Sequence, residues 1–578
     1  MRATASSARS ERPMTFALDK FLRFLPAAAF AMVAEFLTGI SGSIVCGHVI
    51  GEDGLSSIGL IQPVTNAVAF LALLVGTGTS VLYSVEMGRF DKRRASEFLT
   101  QGLWSALMLG LAAAAILLMV RVRAAESFGV TGPVLAGLKE YWLWFTPCAV
   151  LEPLFFYLSS ICYADGDGRI CVWAYIVQIF SNFVLAFLLT TAAGFAGCAL
   201  AMVLGHILSL GVLSLHFRRK TNSLRFVRHF SLKDTLSICK CSIGDASSKL
   251  FDALLILALN VFVITRFGEG VLPVLAAVVA VLGLIEVFDA IPRAMQPIAS
   301  VYIGEGNDRL TRRIIRYGEV AAGASGTFLT LVLCAFPSLI LMMVGINDPA
   351  LVGPAKTAVR LVSLGLVGMA TVSLFNSYFT FISRENLAFV LTLLALFVMP
   401  IVLFPALGVA FGVNGVWSAL AIAPYAAIAA IAAFITVRYG SKALPHFLHR
   451  EKLRRSRVFD LALEPSEICK LSETIYKFLV VRHCAAEKKA NFTSLLIEET
   501  LMLVKEHNKG RRISAEVTLD FSKNIRLIMR DDGEIFDITD ADARISSLRS
   551  YMVSNLMIAI PARRNMMTTG YNRNAFEI

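Results

Sequence analysis

Twelve stretches of the chain stay apolar for about 20 residues or more: 25–49, 58–83, 99–120, 140–163, 170–192, 195–217, 243–265, 271–301, 316–345, 357–383, 387–406 and 410–436. Each is long enough to cross the roughly 30 Å hydrocarbon layer of a bilayer as a helix. The pattern therefore predicts an all-α polytopic membrane protein with 12 transmembrane helices, and an even number puts both termini on one side. After Arg438 the pattern changes. Residues 438–457 are basic and interrupted, and nothing beyond them is long enough to span. Residues 465–483 and 487–507 carry apolar positions at helical spacing. Ile513, Ala515, Val517 and Leu519 alternate instead, as do Ile525, Leu527 and Met529 after a Ser522-Lys523-Asn524 turn. Two periods in one segment predict a separate α+β domain over 458–578, with helices laid on an antiparallel or mixed sheet.

Composition agrees: 56% of the 578 residues are hydrophobic and 17% charged, against about a quarter charged in a soluble domain. Loop cations fix the expected orientation. The N-terminal arm, the loops holding Arg89 to Arg94, Arg218 to Arg228 and Arg309 to Arg316, and the tail after Arg438 hold most of them. The alternate loops hold few, chiefly Arg121, Arg123 and Lys139. The positive-inside rule then places both termini in the cytoplasm, with a bacterial cytoplasmic (inner) membrane as the expected location. The net charge of +12 reflects that topology and anionic lipid rather than nucleic acid. The first apolar run is too long for a signal peptide and has no clear cleavage site. The ten cysteines show no paired CxxC spacing and read as small packing residues.

One phrase occurs twice. Ser84-Val85-x-x-Gly88-x-x-Asp91-x-Arg93 and Ser300-Val301-x-x-Gly304-x-x-Asn307-x-Arg309 are offset by 216 positions, and the register continues to Gly102 and Gly318. A repeated membrane exit predicts two homologous six-helix lobes of the kind that rock against each other in secondary transporters. The expected organisation is an arm at 1–24, an N-lobe at 25–217, a basic linker at 218–242, a C-lobe at 243–437, a second basic linker at 438–457 and the C-terminal domain.

Ionisable residues at bilayer depth are the candidates for chemistry, because each costs about 2.5–3.5 kcal/mol or more there. Glu35 lies mid-helix with no basic residue within a turn, so it should face a cavity or stay protonated, as a coupling acid would. Asp245, Lys249 and Asp252 share one helical face, and Glu286, Asp289 and Arg293 another. Asp252 and Glu286 are the further ion-coupling candidates. Asp245, Lys249, Asp289 and Arg293 read as an internally neutralised structural network, each acid with a cation four residues on. Arg293 and Arg360 lie near helix ends, where they could snorkel. Glu152 sits beside a bend made by Pro147 and Pro153. Pro63, Pro292, Pro297, Pro400 and Pro405 are candidate kinks or hinges.

Taken in order, Gly51-Glu-Asp-Gly54-Leu55, the Ser84 exit, Ala164-Asp165-Gly166-Asp167-Gly168, Gln296-Pro297-Ile298-Ala299-Ser300 with Tyr302-Ile303-Gly304, and Gly412-Val413-Asn414-Gly415-Val416-Trp417 resemble the multidrug and toxic compound extrusion (MATE) family over residues 15–440. The resemblance implies two lobes around a central cavity and export of small, cationic, amphipathic molecules in exchange for H⁺ or Na⁺. It also implies a coupling acid in the first helix, where Glu35 lies. The family often has Asn-x-x-Leu-Asp in its fifth helix, and here Asn182-Phe-Val-Leu185 is followed by Ala186.

The C-terminal domain resembles the ATP-binding fold of anti-sigma-factor kinases and histidine kinases, on Leu496-Ile497-Glu498-Glu499, His507, Asp531-Asp532-Gly533 with Phe536 and Asp537, and the terminal run from Gly570. The resemblance implies that Glu499 positions water and that Asp532, with Gly533, reads adenine. The Mg²⁺ ligand's place is taken by Leu503, and Ser546-Ser547-Leu548-Arg549-Ser550 stands where a glycine-rich lid belongs. A degenerate GHKL-like ATPase domain is the expectation: regulatory, able at most to bind ATP, open to a regulatory protein partner, and not an enzyme. The competing functions are a lipid-linked saccharide flippase of the same superfamily, and a membrane-tethered signalling protein with a kinase-like output. No metal site or certain cofactor is expected.

Overall fold

The computed structural model describes residues 15–50, 52–127, 132–219, 222–344, 346, 348–440, 456–481, 486–521, 525–534, 548–558, 560, 562–567 and 571–578. The first 14 residues, the Ser522-Lys523-Asn524 turn, Phe536, Asp537, Gly570 and most of the 438–457 linker lie outside this set, as do Ser546 and Ser547 of the lid segment. The chain forms two compact units. One holds residues up to 22, 307–310 and 449–578; the other holds 23–306 and 311–448.

Every regular element of the larger unit among the described residues is a helix. Its helices are α1 (Phe16–Val49, whose first turns belong to the smaller unit), α2 (Glu52–Gly88), α3 (Lys92–Ser127), α4 (Gly132–Phe145), α5 (Cys148–Ala164) and α6 (Gly168–Ser214), followed by α7 (Leu232–Phe267), α8 (Leu272–Gly283), α9 (Ala290–Gly304), α10 (Asp308–Ala335), α11 (Ser338–Val344), α12 (Pro349–Ser363), α13 (Leu366–Phe381), α14 (Glu385–Leu393), α15 (Met399–Phe411) and α16 (Val413–Tyr439). Among the described residues nine helices are long and apolar enough to cross a membrane, and α4 with α5, bent by 46° between them, make a tenth span. The 47-residue α6 folds back on itself at Ala193 and Gly194 and so carries two spans, and the 34-residue α1, some of whose side chains lie outside the described residues, was expected as the first.

Both hairpins are made by glycine. Gly194 and Gly412 adopt positive φ (57° and 66°) that a Cβ would oppose. Three residues on, Gly197 and Gly415 lie so close to the carbonyls of Leu189 and Leu407 that no side chain fits. The two turns occupy matching places in the two lobes, although the sequence reading had singled out only the second.

The turn at Asp165–Asp167 ties down the end of the N-lobe. Asp167 caps α6 by accepting from the Ile170 N–H. The buried His216 ring contacts both carboxylates, Nδ1 at 2.9 Å from Asp167 and Nε2 at 3.0 Å from Asp165. Each ring nitrogen thus faces a carboxylate oxygen. Arg219 adds a positive charge 2.8 Å from Asp167.

The smaller unit contains a five-stranded, wholly antiparallel sheet in the order β1-β2-β3-β5-β4, where β1 is Ser456–Ala462, β2 Ser514–Asp520, β3 Arg526–Asp531, β4 Ala562–Met567 and β5 Asn572–Glu577. Helices α17 (Pro465–Val481), α18 (Glu487–His507) and α19 (Leu548–Ile558) share an apolar core with one sheet face, in which Ala515, Val517, Leu519, Leu527, Met529 and Phe576 are buried. The residues alternating with them are buried as well. Glu516 and Arg530, directly opposite in register, form a 2.6 Å ion pair with neither side chain exposed. Alternation therefore located β2 and β3, but not the other three strands or the environment of the second face.

Candidate functional site

The lobes meet along α2, which packs against α7 and α9, and the repeated phrase lies at that meeting. A Cβ placed on Gly88 would stand 2.8 Å from the Gly304 Cα, and one on Gly304 equally close to the Gly88 Cα. Residues 216 positions apart thus touch across a pseudo-two-fold axis. Phe90 and Gly306, also 216 apart, both end their helices at positive φ (62° and 71°). The basic-loop end of this interface is held further by Arg94 with Asp234 (2.6 Å) and by the Gln101 amide donating to Thr235 (2.7 Å).

Between the lobes lies a narrow cavity of about 50 Å³, open in part to the outside and with room for about three or four water molecules. Glu35, Asp245, Lys249, Glu286, Asp289 and Arg293 line it. Six of the seven membrane-domain site candidates therefore gather in one place. The seventh, Asp252, lies within electrostatic range of Lys249 but not on the cavity wall. Glu152 does not line it either.

The pairing differs from the expectation drawn from helical spacing. Lys249 does not neutralise Asp245; its ammonium lies 2.5 Å from Glu286. Asp245 accepts from the Thr77 hydroxyl of the other lobe at 3.0 Å. Arg293 does not neutralise Asp289, which accepts from the Ser373 hydroxyl at 2.5 Å. Nor does Arg293 snorkel. Its guanidinium faces the cavity, 4.8 Å from the Phe156 ring centre, 3.4 Å from the Tyr175 hydroxyl and 3.8 Å from the Glu35 carboxylate. Neighbours four apart on a helix share a face, but a partner from another helix wins when it approaches along the side chain's own direction. The stretch expected as one helix over 271–301 is also broken, by a 3₁₀ segment at Leu284–Asp289 that presents Glu286 and Asp289. A mid-helix 3₁₀ turn of this kind marks hinges and sites. Pro292 lies just after it on the cavity wall; the side chain of Pro63 lies outside the described residues.

In the smaller unit, the residues quoted for nucleotide binding are engaged by protein groups. Asp532 accepts from the Ser514 N–H at 2.8 Å and faces Lys20 at 3.4 Å. Glu499 pairs with Arg549 at 3.2 Å. Leu503 is buried in the apolar core and offers no oxygen to a metal. Gly533 turns beside Asn508, whose side chain accepts from the Glu534 N–H at 2.8 Å. Lys20 and Asn508 were missed in the sequence: each is a single polar residue in an ordinary helical context. Among the described residues no group of three or more His, Cys, Asp or Glu is arranged to hold a metal.

Residues 27–188 match the family model described as MatE. No curated protein matches the chain in sequence. Among solved structures, the chain is similar to a MOP-superfamily transporter from Pyrococcus furiosus described as having a binding pocket of reverse polarity, at 21% identity and a TM-score of 0.68, covering 74% of this chain and 96% of that one. A MATE protein in complex with MaL6 is similar at 20% identity and a TM-score of 0.69 (74% and 97%). So is an outward-facing multidrug resistance MATE transporter at 21% and 0.68 (74% and 96%). The fold is the one that these MATE and MOP-superfamily structures share. The MatE segment lies in the N-lobe, and the structural similarity extends over most of the chain.

Proposed function

We propose that the protein is a secondary antiporter that exports small, cationic, amphipathic molecules in exchange for H⁺ or Na⁺, in a bacterial cytoplasmic membrane with both termini inside. The observation that carries this reading is the Glu35–Arg293 contact at 3.8 Å, made between the two lobes on the wall of the cavity. Protonating Glu35, or replacing its charge by a bound cation, removes the charge–charge part of the interlobe attraction and leaves Arg293 only its N-lobe contacts with the Tyr175 hydroxyl and the Phe156 face. A ligand can shift a two-state equilibrium only through such a difference in interaction between the states. Asp245 and Asp289 face hydroxyls rather than cations, which gives the cavity a residual negative character suited to a cationic substrate. Glu286 acts on the cavity directly, as part of its wall and as the partner of Lys249, and Asp252 acts through Lys249. With the basic-loop end cytoplasmic, the Gly88–Gly304 contact closes the lobes on that side.

The cavity cations Lys249 and Arg293 each have a carboxylate partner, which argues against a flippase that recognises pyrophosphate. The C-terminal unit is regulatory in this reading and does not hydrolyse ATP, since Leu503 supplies no metal ligand. The test is ethidium export from proteoliposomes under an imposed pH or Na⁺ gradient, with and without ATP. Gradient-driven export that Glu35→Gln lowers at least tenfold supports the proposal. Export driven by ATP alone, or undiminished in Glu35→Gln, overturns it.

A further inference from the structure

The first turn of α1 is built into the smaller unit by three contacts of different kinds. The carboxylate of Asp460 on β1 accepts from the Phe16 N–H at 3.1 Å, so a negative charge caps the positive end of the helix. The Phe16 ring meets Tyr571 edge-on, centres 5.9 Å apart at 89°. One turn on, Lys20 lies over the Phe16 ring at 5.4 Å and reaches Asp532 at 3.4 Å. Phe16, Ala17 and Phe21 are 2%, 0% and 2% exposed, and the side chains of Lys20 and Asp532 only 5% and 4%.

A lysine this deeply buried is retained only when its charge is matched, because removing one member of a buried pair leaves the other uncompensated. The same helix runs on past Pro26 to Val49 and carries Glu35, fifteen residues after Lys20. We propose that the C-terminal unit is a strap on the first helix: by gripping Phe16 and Lys20 through Asp460, Tyr571 and Asp532, it restrains the helix that brings Glu35 to the cavity. Asp532 is then a docking residue for the chain's own first helix, and release of Lys20 frees α1 to move.

The test is hydrogen exchange of the full chain in lipid nanodiscs, comparing the unmodified protein with Lys20→Met, Asp532→Asn and the charge exchange Lys20→Asp with Asp532→Lys. The strap predicts that each single variant speeds exchange at least threefold both in peptides from residues 15–24 and in peptides covering residues 30–38, and that the charge exchange restores protection in both. Faster exchange at 15–24 alone shows a local anchor and overturns the proposal, as does unchanged exchange in both regions. A fall in melting temperature with exchange faster throughout the chain also overturns it. Ethidium export by the same variants gives a second readout, which rests on the antiporter reading. Turnover should rise at least twofold in the single variants and return in the charge exchange, and unchanged turnover alongside faster exchange at 30–38 refutes the restraint. If the unmodified protein moves no ethidium, the antiporter reading fails, while the exchange pattern still decides the strap.

Discussion

The amide of Gln296 donates to the hydroxyl of Ser80, and these two residues occupy the same place in the two halves of the chain, 216 positions apart. Eight residues further on, Gly88 and Gly304 touch in the same way. The pseudo-two-fold axis therefore runs between α2 and α9, and the internal repeat is an interface as well as a record of duplication. Equivalent residues meet each other only beside such an axis.

Widening either glycine should hold the lobes apart at this end. Gly88→Val or Gly304→Val is expected to leave helix content unchanged and to cut gradient-driven export about tenfold, since overpacking of this kind costs about 1–3 kcal/mol in the closed state. Ethidium flux, with circular dichroism as the control for folding, checks it.

The contact between Glu35 and Arg293 should be visible as coupling. Arg293→Gln and Glu35→Gln each lower export, and the double variant is expected to lose less than the sum of the two, because the second change removes a partner already lost. Flux measured for all four proteins at one gradient gives the cycle. Strict additivity would show that the two residues act independently.

Asp531 is 3% exposed, and burial pushes its carboxyl up to about 6, against the opposing hydrogen bonds from Asn572 and the Gly533 N–H. The folded state binds this proton more tightly than the unfolded state does, where the ordinary value is 3.8. The group is thus neutral at no penalty below pH 4. It costs stability increasingly as pH rises through 4 to 6, up to about 3 kcal/mol. Asp531→Asn keeps an acceptor for both donors and cannot ionise. Its melting temperature relative to the unmodified protein should therefore be higher at pH 8 than at pH 4.5, as measured by thermal unfolding of the full chain in detergent.

Glu516 and Arg530 form a pair with no exposed side-chain surface. Glu516→Gln or Arg530→Met alone should destabilise the smaller unit by about 3–5 kcal/mol, whereas Glu516→Leu with Arg530→Met should recover most of the loss. Denaturant unfolding of the full chain, followed by proteolysis within residues 456–578, measures both.

The sequence by itself determined the membrane class, the two lobes, the two central strands β2 and β3 of the C-terminal sheet and most of the acids and bases that collect in the cavity. These follow from local physics. Bilayer thickness fixes helix length, side-chain period identifies strands, and a charge in an apolar run must find a cavity. Only the tertiary structure decided who pairs with whom. Spacing put Asp245 with Lys249 and Asp289 with Arg293, but the 3₁₀ break at Leu284–Asp289 turns Glu286 to Lys249, and the opposite lobe brings Glu35 to Arg293 and Thr77 to Asp245. Lys20 reaches Asp532 across 512 positions of sequence. Such contacts depend on how helices and strands distant in the chain approach each other, and no local pattern of hydrophobic and polar residues encodes that.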